Sequence, residues 1–506
     1  MNKRRTVILL FLAGLSFRLV LCFIFANEII PGPDQMQEIM LGRKFAAGQF
    51  YCVLDVYWAP VSPILIGLVS SFIDSPMVPA AIVSILTGSL IVPLTYIFVL
   101  QSYGRREALI ASALAIFFPH FINSIFALGS ENIFIVLMLG VLIVAWNALR
   151  SGSKLLYLAE GILLGFAYLT RPEAIGYSLY FVLITVVYDF SNRKRFLAKS
   201  LPRIAVLLFS FFLVATPYLL YLRSETGSWT VSGKARINTV VGGFDADPDF
   251  EQYDENGLIR EFSKYFLFNL GEVHKMFPAL FPLLLWLFIG LGLFDRPWER
   301  ERFEREVFLI LFCLVTIVGY AAAVVQLRYF FVLLPVLLGW TARGIAKFAK
   351  WLSETAQSRG GRPALFLSQR ALIALSITAV FLYVLPLNFY MRSTDRLWET
   401  SGYEERDAGL WLHQNGKTGL SVFSASRRPA FYADATQLTP KTENIDEILS
   451  EIKEQKADYV VISDRSLKRN PFLKGFDEIL RNDPDFEVVY EKTPHKGYGI
   501  SIFKRK

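Results

Sequence analysis

Long apolar segments alternate with short polar loops along most of the chain, as far as about residue 390. A membrane-spanning helix needs about 20 predominantly apolar residues. The weakest candidate for such a helix, residues 60–73, is short and carries Pro60 and Pro63 at its start. The pattern predicts a polytopic α-helical membrane protein with these candidate segments: residues 7–25, 60–73, 78–100, 108–128, 131–148, 155–170, 174–190, 203–222, 277–294, 306–325, 328–348 and 371–389.

The hydrophobic pattern changes in the tail, residues 390–506. Short runs rich in β-branched and aromatic residues now alternate with segments of helical periodicity, which is typical of a small α/β domain. The predicted strands are 420–423, 457–462, 486–490 and 499–503, and the predicted helices are 443–453 and 472–481. A segment of about 110 residues is long enough to bury its own core.

Composition supports the membrane interpretation: 54% of the 506 residues are hydrophobic, only 19% are charged, and the mean hydropathy is +0.41. The net charge of +8 does not indicate a nucleic-acid partner, because the basic clusters lie in short loops between apolar segments. The chain has no P-loop and no GxGxxG motif, so no nucleotide site is predicted. Cys22, Cys52 and Cys313 have no metal-binding spacing and are interpreted as buried residues.

The basic loops orient the chain, because loops rich in lysine and arginine stay on the cytoplasmic side. Loops of this kind lie at residues 101–106, 150–154, 192–203, 296–305 and 343–370. All of these loops can lie on the cytoplasmic side only if residues 27–100 make a single net crossing of the membrane. Segment 60–73 is then juxtamembrane or re-entrant, and about 11 spans remain, with a cytoplasmic N-terminus. Residues 1–389 form the predicted membrane domain, with external loops 27–60 and 223–276, the latter containing a short helix near 258–268. The tail is extracytoplasmic.

An acidic pair, Asp34 and Glu38, follows the first apolar segment on a stretch that is typical of a short amphipathic helix. Residues at i and i+4 share one face of a helix, and Pro33 suits the first turn. Asp34 near the helix N-terminus gains from the helix dipole. Two interpretations follow: an acidic cap of structural importance only, or a pair with a chemical role.

Ionisable groups at membrane depth are costly and are candidates for function. Each has a plain alternative: Arg18 could snorkel to the headgroups, Glu131 could cap a helix, His120 could be a packing residue, and Glu160 could be structural. Several cations on one face are harder to explain in this way. External cations near an acid suit a lipid-linked phosphate, which arginine binds bidentately, while the carboxylate accepts a proton from an attacking hydroxyl. These candidate phosphate ligands are Arg18, Arg171, Lys234, Arg236 and Arg328, with Tyr329 beside the last.

Several short sequence fragments follow one another in a characteristic order over residues 1–350. They are Asp34 through Ala46-Ala-Gly-Gln-Phe-Tyr51, Trp58-Ala-Pro-Val-Ser-Pro63, Ser130-Glu131, Gly165 through Arg171-Pro172, Thr216 through Arg223 with Gly227-Ser-Trp229, and Arg328-Tyr329 through Pro335. This series resembles the GT-C glycosyltransferases, in particular the protein O-mannosyltransferase and lipid A aminoarabinose transferase group. Each fragment alone is weakly specific. Their order indicates the fold group and not the substrate.

The resemblance implies an inverting hexosyl- or pentosyltransferase of the plasma membrane that uses a sugar on a polyprenyl phosphate. Asp34 matches the acidic residue of the first external loop, the catalytic residue of the group. Glu38 and Glu131 would support it or contact the acceptor, which is a lipid, glycan or protein hydroxyl. No cofactor is expected; a divalent metal is compatible with an Asp–Glu pair but is not implied.

The chain departs from the group in two places. Asp34 is followed by Gln35 where many relatives have a second acid, and Val56-Tyr-Trp-Ala59 stands where some relatives carry a lysine. Two other functions stay open at this stage. The number of spans suits a transporter or a lipid-linked-glycan flippase, although no inverted repeat is apparent. An O-antigen ligase or polymerase would place its working loop later in the chain.

Overall fold

A computed structural model describes residues 2–25, 30–73, 75–192, 196–233, 255–294, 298–358, 369–393, 402–417, 419–492 and 498–506. Contacts between residues divide the chain into two compact units. The first unit comprises Met1–Ile24, Gln49–Leu65 and Ala81–Pro386. The second comprises Phe25–Gly48, Ile66–Ala80 and Leu387–Lys506.

Helices make up almost all of the described chain before residue 394. They are α1 Lys3–Ile24, α2 Pro33–Ala46, α3 Val61–Ser70, α4 Val78–Tyr103, α5 Arg105–Phe117, α6 Pro119–Ala127, α7 Glu131–Ser151, α8 Lys154–Tyr168, α9 Ala174–Asn192, α10 Phe196–Thr226, α11 Glu255–Leu280, α12 Leu283–Phe294, α13 Arg300–Ala321, α14 Leu334–Ser358 and α15 Gln369–Ser393. Two 3₁₀ segments, Phe50–Val53 and Leu327–Leu333, interrupt the series.

Within the described residues, six helical stretches are long and apolar enough to cross a membrane, or eight if each of two bent helix pairs is one span. The bent pairs are α5 with α6, at 45°, and α11 with α12, at 95°. The chain is therefore a multi-pass membrane protein, while the total of 11 spans stays a prediction. Helix α3 has ten residues. Its length of about 15 Å is too short to span alone.

The structure corrects the prediction for the second large loop. A short helix was expected near residues 258–268, whereas helix α11 extends over Glu255–Leu280. The apolar segment predicted at 277–294 is therefore divided, and its second part is the 12-residue helix α12. Pro278 lies in the last turn of α11 and Pro282 lies in the break just before α12, and a proline lacks the N–H that would continue the helical hydrogen bonds.

A single apolar core fills the first unit, and glycines allow its helices to approach closely. A Cβ atom on Gly344 of α14 would clash with the backbone carbonyl of Phe288 on α12. A Cβ atom on Gly161 of α8 would likewise clash with the Leu207 carbonyl of α10. The 3₁₀ segment Leu327–Leu333 packs against α7, α11 and α13, and this packing positions the candidate site described below.

A buried carboxylate joins three helices of the first unit. Glu306 of α13 is fully buried and accepts hydrogen bonds from the Tyr103 hydroxyl at 2.9 Å and from the Trp340 indole at 2.8 Å. Arg302 Nε lies 3.8 Å from the same carboxylate. A buried charge that loses its partners is strongly destabilising, so this network is expected to contribute to the stability of the membrane unit.

We therefore expect Glu306→Leu to lower the free energy of unfolding by about 3–5 kcal/mol, because it removes the carboxylate that faces the Arg302 guanidinium and leaves the Tyr103 and Trp340 donors without their acceptor. Glu301→Leu, on the same helix, removes an ion pair whose carboxylate side chain is 53% exposed and should cost at most about 1 kcal/mol. The comparison is made by thermal unfolding of both purified variants in detergent. Equal transition temperatures would contradict a structural role for Glu306.

The second unit contains a five-stranded sheet of order β2-β1-β3-β5-β4, in which β1 pairs in parallel with β2 and β3, and β5 pairs antiparallel with β3 and β4. The helices and strands of this unit after residue 402 are α16 Tyr403–Asn415, β1 Ser421–Phe423, α17 Arg427–Ala433, β2 Thr436–Leu438, α18 Ile445–Glu454, β3 Tyr459–Ser463, α19 Asp464–Arg469, α20 Phe476–Asn482, β4 Phe486–Lys492 and β5 Ile500–Arg505. The four strands expected from the sequence are present near their predicted positions. Strand β2 was missed, as were α16, α17 and α19.

Candidate active site

Three charged residues of the predicted site meet in the first unit, at the ends of separate elements, and the predicted Tyr329 lies beside them. Glu131 is the first residue of α7, Arg171 lies in the turn between α8 and α9, and Arg328 lies in the 3₁₀ segment Leu327–Leu333. Nη1 of Arg171 is 3.3 Å from Oε1 of Glu131, and Nη1 of Arg328 is 3.4 Å from the same oxygen. Ser130 makes no capping hydrogen bond through its side chain, and the Glu131 carboxylate is directed at the two arginines.

Two further residues complete this cluster, and neither was selected from the sequence. Glu173 Oε1 lies 2.6 Å from Arg171 Nε and accepts a hydrogen bond from the Tyr320 hydroxyl at 3.2 Å. The Tyr320 ring stacks on Tyr329 with centroids 5.1 Å apart. Glu173 could have been noticed from its position two residues after Arg171. Tyr320 offers no signal, since it comes from α13, far away in sequence.

The charges of the cluster balance, with two carboxylates facing two guanidinium groups. Arg171 is the central member, because its side chain is only 11% exposed, touches both carboxylates and packs over the Tyr329 ring at 4.8 Å. Burial disfavours ionisation of Glu173, but Arg171 outweighs that penalty and holds the pKa of the Glu173 carboxyl below its ordinary value. Glu131 Oε2 is buried without a hydrogen-bond partner among the described residues.

Arg18 lies in the same unit but does not take part in the contacts of this cluster. Its side chain is fully buried, so it does not extend outward from the helix as a snorkelling side chain would. Nη1 donates to the Gly14 carbonyl at 3.2 Å, while Nε and Nη2 have no acceptor in the described part of the chain. The side chain packs near Gly88 of α4, where a Cβ atom would lie 3.2 Å from Arg18 Nε.

Asp34 and Glu38 belong to the second unit, on helix α2. The helix begins as the sequence predicts, with Pro33 at its first position and Asp34 in its first turn. Met36 and Ile39 are buried, Glu38 is 8% exposed, and Asp34 is half-buried. Both carboxylates take part in interactions within the protein. The predicted helix of the first loop is confirmed, but its buried residues include the polar Gln35 and Glu38 as well as Met36 and Ile39.

The remaining candidates are resolved differently. Lys234 and Arg236 lie outside the described residues. His120 Nε2 lies 2.9 Å from the Ala279 carbonyl, and its ring stacks on Phe331 at 4.6 Å, which is the arrangement of a packing residue. Glu160 is buried in α8. In the described ranges, no three His, Cys, Asp or Glu side chains are grouped in a way that could hold a metal ion.

Comparison with known proteins adds two findings. Residues 58–221 match the family model described as dolichyl-phosphate-mannose-protein mannosyltransferase. No curated protein sequence matches the chain at a significant level.

Solved structures resemble the chain over almost its whole length. ArnT from Cupriavidus metallidurans bound to undecaprenyl phosphate superposes with a TM-score of 0.54 at 13% identity, covering 99% of this chain and 97% of ArnT. The apo state of that protein gives 0.57 at 14% identity, covering 96% and 97%. The Archaeoglobus fulgidus oligosaccharyltransferase in its apo form gives 0.54 at 13% identity, covering 91% of this chain and 69% of that one.

At these identities the structural likeness shows the fold, and the family model covers residues 58–221, which is less than half of the chain. Both findings lead to the same group of proteins, which the sequence fragments from Asp34 to Pro335 also resemble. The chain therefore has the fold of the GT-C glycosyltransferases.

Proposed function

We propose that the protein is a membrane glycosyltransferase that moves a sugar from a polyprenyl-phosphate donor to a hydroxyl acceptor on the extracytoplasmic face. The observation that carries this proposal is the fold match over 99% of the chain to ArnT bound to undecaprenyl phosphate. Because ArnT binds undecaprenyl phosphate within this fold, we expect a lipid-linked donor for this protein as well. The match of residues 58–221 to a family described as using dolichyl-phosphate-mannose supports the same donor class.

In the proposed mechanism, the Asp34 carboxylate accepts the proton of the acceptor hydroxyl. The acceptor oxygen then bonds to the anomeric carbon, while the bond from that carbon to the phosphate oxygen breaks. Attack opposite the leaving group inverts the anomeric configuration. Polyprenyl phosphate leaves as an anion, and its charge is stabilised by fixed cations and hydrogen-bond donors.

The charge cluster of the first unit supports specific roles. Arg328 is the more accessible of its two cations, with 31% of its side chain exposed, and is proposed to bind the donor phosphate beside Tyr329. Arg171 is held by two carboxylates, so its proposed role is to orient Glu131 as well as to supply charge. Oε2 of Glu131, which has no hydrogen-bond partner in the described part of the chain, would accept a hydrogen bond from a substrate hydroxyl. Arg18, whose Nε and Nη2 have no acceptor among the described residues, is proposed as a second candidate for the phosphate.

The proposed orientation places the N-terminus in the cytoplasm and residues 390–506 outside the plasma membrane, as the basic loops indicate. We propose that the reaction requires no cofactor, since Asp34 can act as base and arginines can stabilise the leaving phosphate. The acceptor is proposed as a lipid, glycan or protein. The Archaeoglobus fulgidus oligosaccharyltransferase was solved with a tethered acceptor peptide and superposes on this chain with a TM-score of 0.51, which supports a protein as one of these acceptor classes.

This proposal predicts a missing sugar in cells that lack the protein. Mass analysis of surface glycans, lipids and glycoproteins should reveal a component smaller by one sugar residue in the deletion strain. A plasmid with the natural gene should restore it, and a plasmid encoding Asp34→Asn should not, at equal protein levels. Identical surface glycoconjugates in the deletion strain and its parent would contradict the proposal.

A further inference from the structure

Helix α2 is held between two other elements of the second unit. On one side it meets α3 at a glycine contact, where a Cβ atom on Gly67 would lie 2.7 Å from the Gly42 carbonyl. On the other side it packs against α17 of the C-terminal segment. The helix that carries Asp34 is therefore not an isolated loop helix, because both the following helix and the C-terminal sheet region contact it.

Two polar contacts join α2 to α17 and its end. Arg43 Nη2 lies 2.7 Å from Asp434 Oδ1. Arg427 Nη1 donates to Gln37 Oε1 at 3.4 Å. These contacts lie near both ends of the interface, since Asp434 follows the last residue of α17 and Arg427 is its first. They therefore restrain rotation of α2 as well as its distance from α17.

Asp434 has a backbone conformation that most residues avoid. Its φ of 55° places it in the left-handed region at the position after a helix, where glycine is usual and asparagine or aspartate is next best. Aspartate is less favourable there than glycine for the backbone, but it supplies the carboxylate that pairs with Arg43. Asp434 thus favours the ion pair with α2, while glycine would favour the backbone conformation of the turn.

Helix α17 is in turn anchored to the sheet through a buried carboxylate. Glu405 of α16 is 1% exposed and accepts hydrogen bonds from Ser426 at 2.7 Å, Arg428 at 3.0 Å and Ser463 at 3.0 Å. Ser426 caps α17, and Ser463 ends β3 and caps α19. Glu405 therefore connects α17 to the carboxyl end of β3, which makes α17 a rigid support for α2.

We propose that α17 is a positioning element for Asp34, and that Arg43, Asp434 and Arg427 transmit its position to α2. As a role in catalysis this rests on the function proposed above, while the physical coupling of the two helices does not. None of the three residues is proposed to touch a substrate. Small displacements of a catalytic group lower the rate of the chemical step, so the C-terminal segment would be required for efficient transfer without supplying a reacting group.

Hydrogen exchange measures the coupling in the full-length protein in detergent. Arg43→Gln and Asp434→Gly should each raise the exchange rates of amides in residues 33–46 about two- to five-fold, as expected for a partly exposed ion pair. Asp434→Gly is informative because glycine favours the left-handed turn, so α17 and the sheet should exchange as in the natural protein. The double variant should resemble either single one, and Arg43→Lys should restore most of the protection.

Lys453→Gln is the matched control. Lys453 pairs with Asp483 at 2.8 Å and Asp485 at 2.7 Å elsewhere in the second unit, so α2 should be unaffected. In donor and acceptor titrations, Arg43→Gln and Asp434→Gly should each lower kcat at least about threefold with an unchanged donor KM. Lys453→Gln should change neither kcat nor KM. Unchanged exchange in residues 33–46 for both Arg43→Gln and Asp434→Gly would overturn the coupling.

The two proposals fail separately. If exchange in α2 rises as expected but the natural protein transfers no sugar, the coupling stands and the proposed function is wrong. If the natural protein transfers sugar, and Arg43→Gln and Asp434→Gly raise exchange in α2 but keep the natural kcat, the positioning role is wrong.

Discussion

Asp34→Asn is expected to abolish sugar transfer while leaving the protein folded. The amide cannot accept the proton of the acceptor hydroxyl, and loss of a general base lowers rates by about 100- to 10,000-fold. The change is nearly isosteric, and α2 should persist because its buried residues Met36 and Ile39 remain. The measurement is the initial rate of transfer by equal amounts of the purified variant and the natural protein. Equal melting temperatures of the two proteins confirm that the variant is folded.

Asp446→Asn is a closely matched control for this variant. Asp446 stands at the second position of α18, as Asp34 does in α2, so both substitutions remove one carboxylate from the positive end of a helix. Each should therefore cost about 0.3–1 kcal/mol of helix stability. Asp446→Asn should keep full activity. Full activity of Asp34→Asn would remove Asp34 from the mechanism, whatever the control does.

Arg171→Met is expected to be the most destabilising change in the charge cluster. It leaves Glu173, which pairs with Arg171 at 2.6 Å, without its cation, and it leaves Glu131 with Arg328 alone. Removing one partner from a buried pair costs about 3–5 kcal/mol, so the apparent melting temperature in detergent should fall clearly. Donor binding should weaken in the folded fraction. Arg328→Ala should weaken the donor too, with a smaller loss of stability, because its side chain is more exposed.

A second substitution tests the electrostatic explanation. Arg171→Met combined with Glu173→Gln restores charge balance, since Glu131 and Arg328 remain paired, and should recover most of the lost stability. Arg150→Met is the control, because Arg150 is 48% exposed and pairs with Glu301 at 3.2 Å, so its loss should cost at most about 1 kcal/mol. If Arg171→Met melts at the temperature of Arg150→Met, the cluster does not stabilise the fold as described.

The hydrophobic pattern predicts the helices well wherever one face of a segment decides its burial. Helix α2 is an example, since Pro33, Met36 and Ile39 mark both its start and its buried side. The pattern is less informative about bends and lengths. The extent of α11 was underestimated because its amphipathic first half lacks a continuous apolar run. Strand β2 was missed because its three residues, Thr436–Leu438, are too few to show a period.

The candidate site was only partly accessible from sequence. Glu131, Arg171 and Arg328 could be selected because charges near membrane segments are costly. Their mutual pairing could not, since Glu131 and Arg328 are 197 residues apart in the chain and meet only through helix packing. The same holds for Tyr320 and Glu173, which are 147 residues apart. The structure also changes the interpretation of Arg171, whose charge is balanced by carboxylates and is therefore partly structural.

The central claim is that the protein breaks the bond between a sugar and a polyprenyl phosphate. The most direct test supplies purified protein in lipid vesicles with a polyprenyl phosphate that carries an isotope-labelled sugar, together with an acceptor extract. We expect the natural protein to release free polyprenyl phosphate and to attach the label to an acceptor with inverted configuration, and Asp34→Asn to do neither. Label that crosses the bilayer while still bound to its lipid would instead identify a flippase and contradict this account.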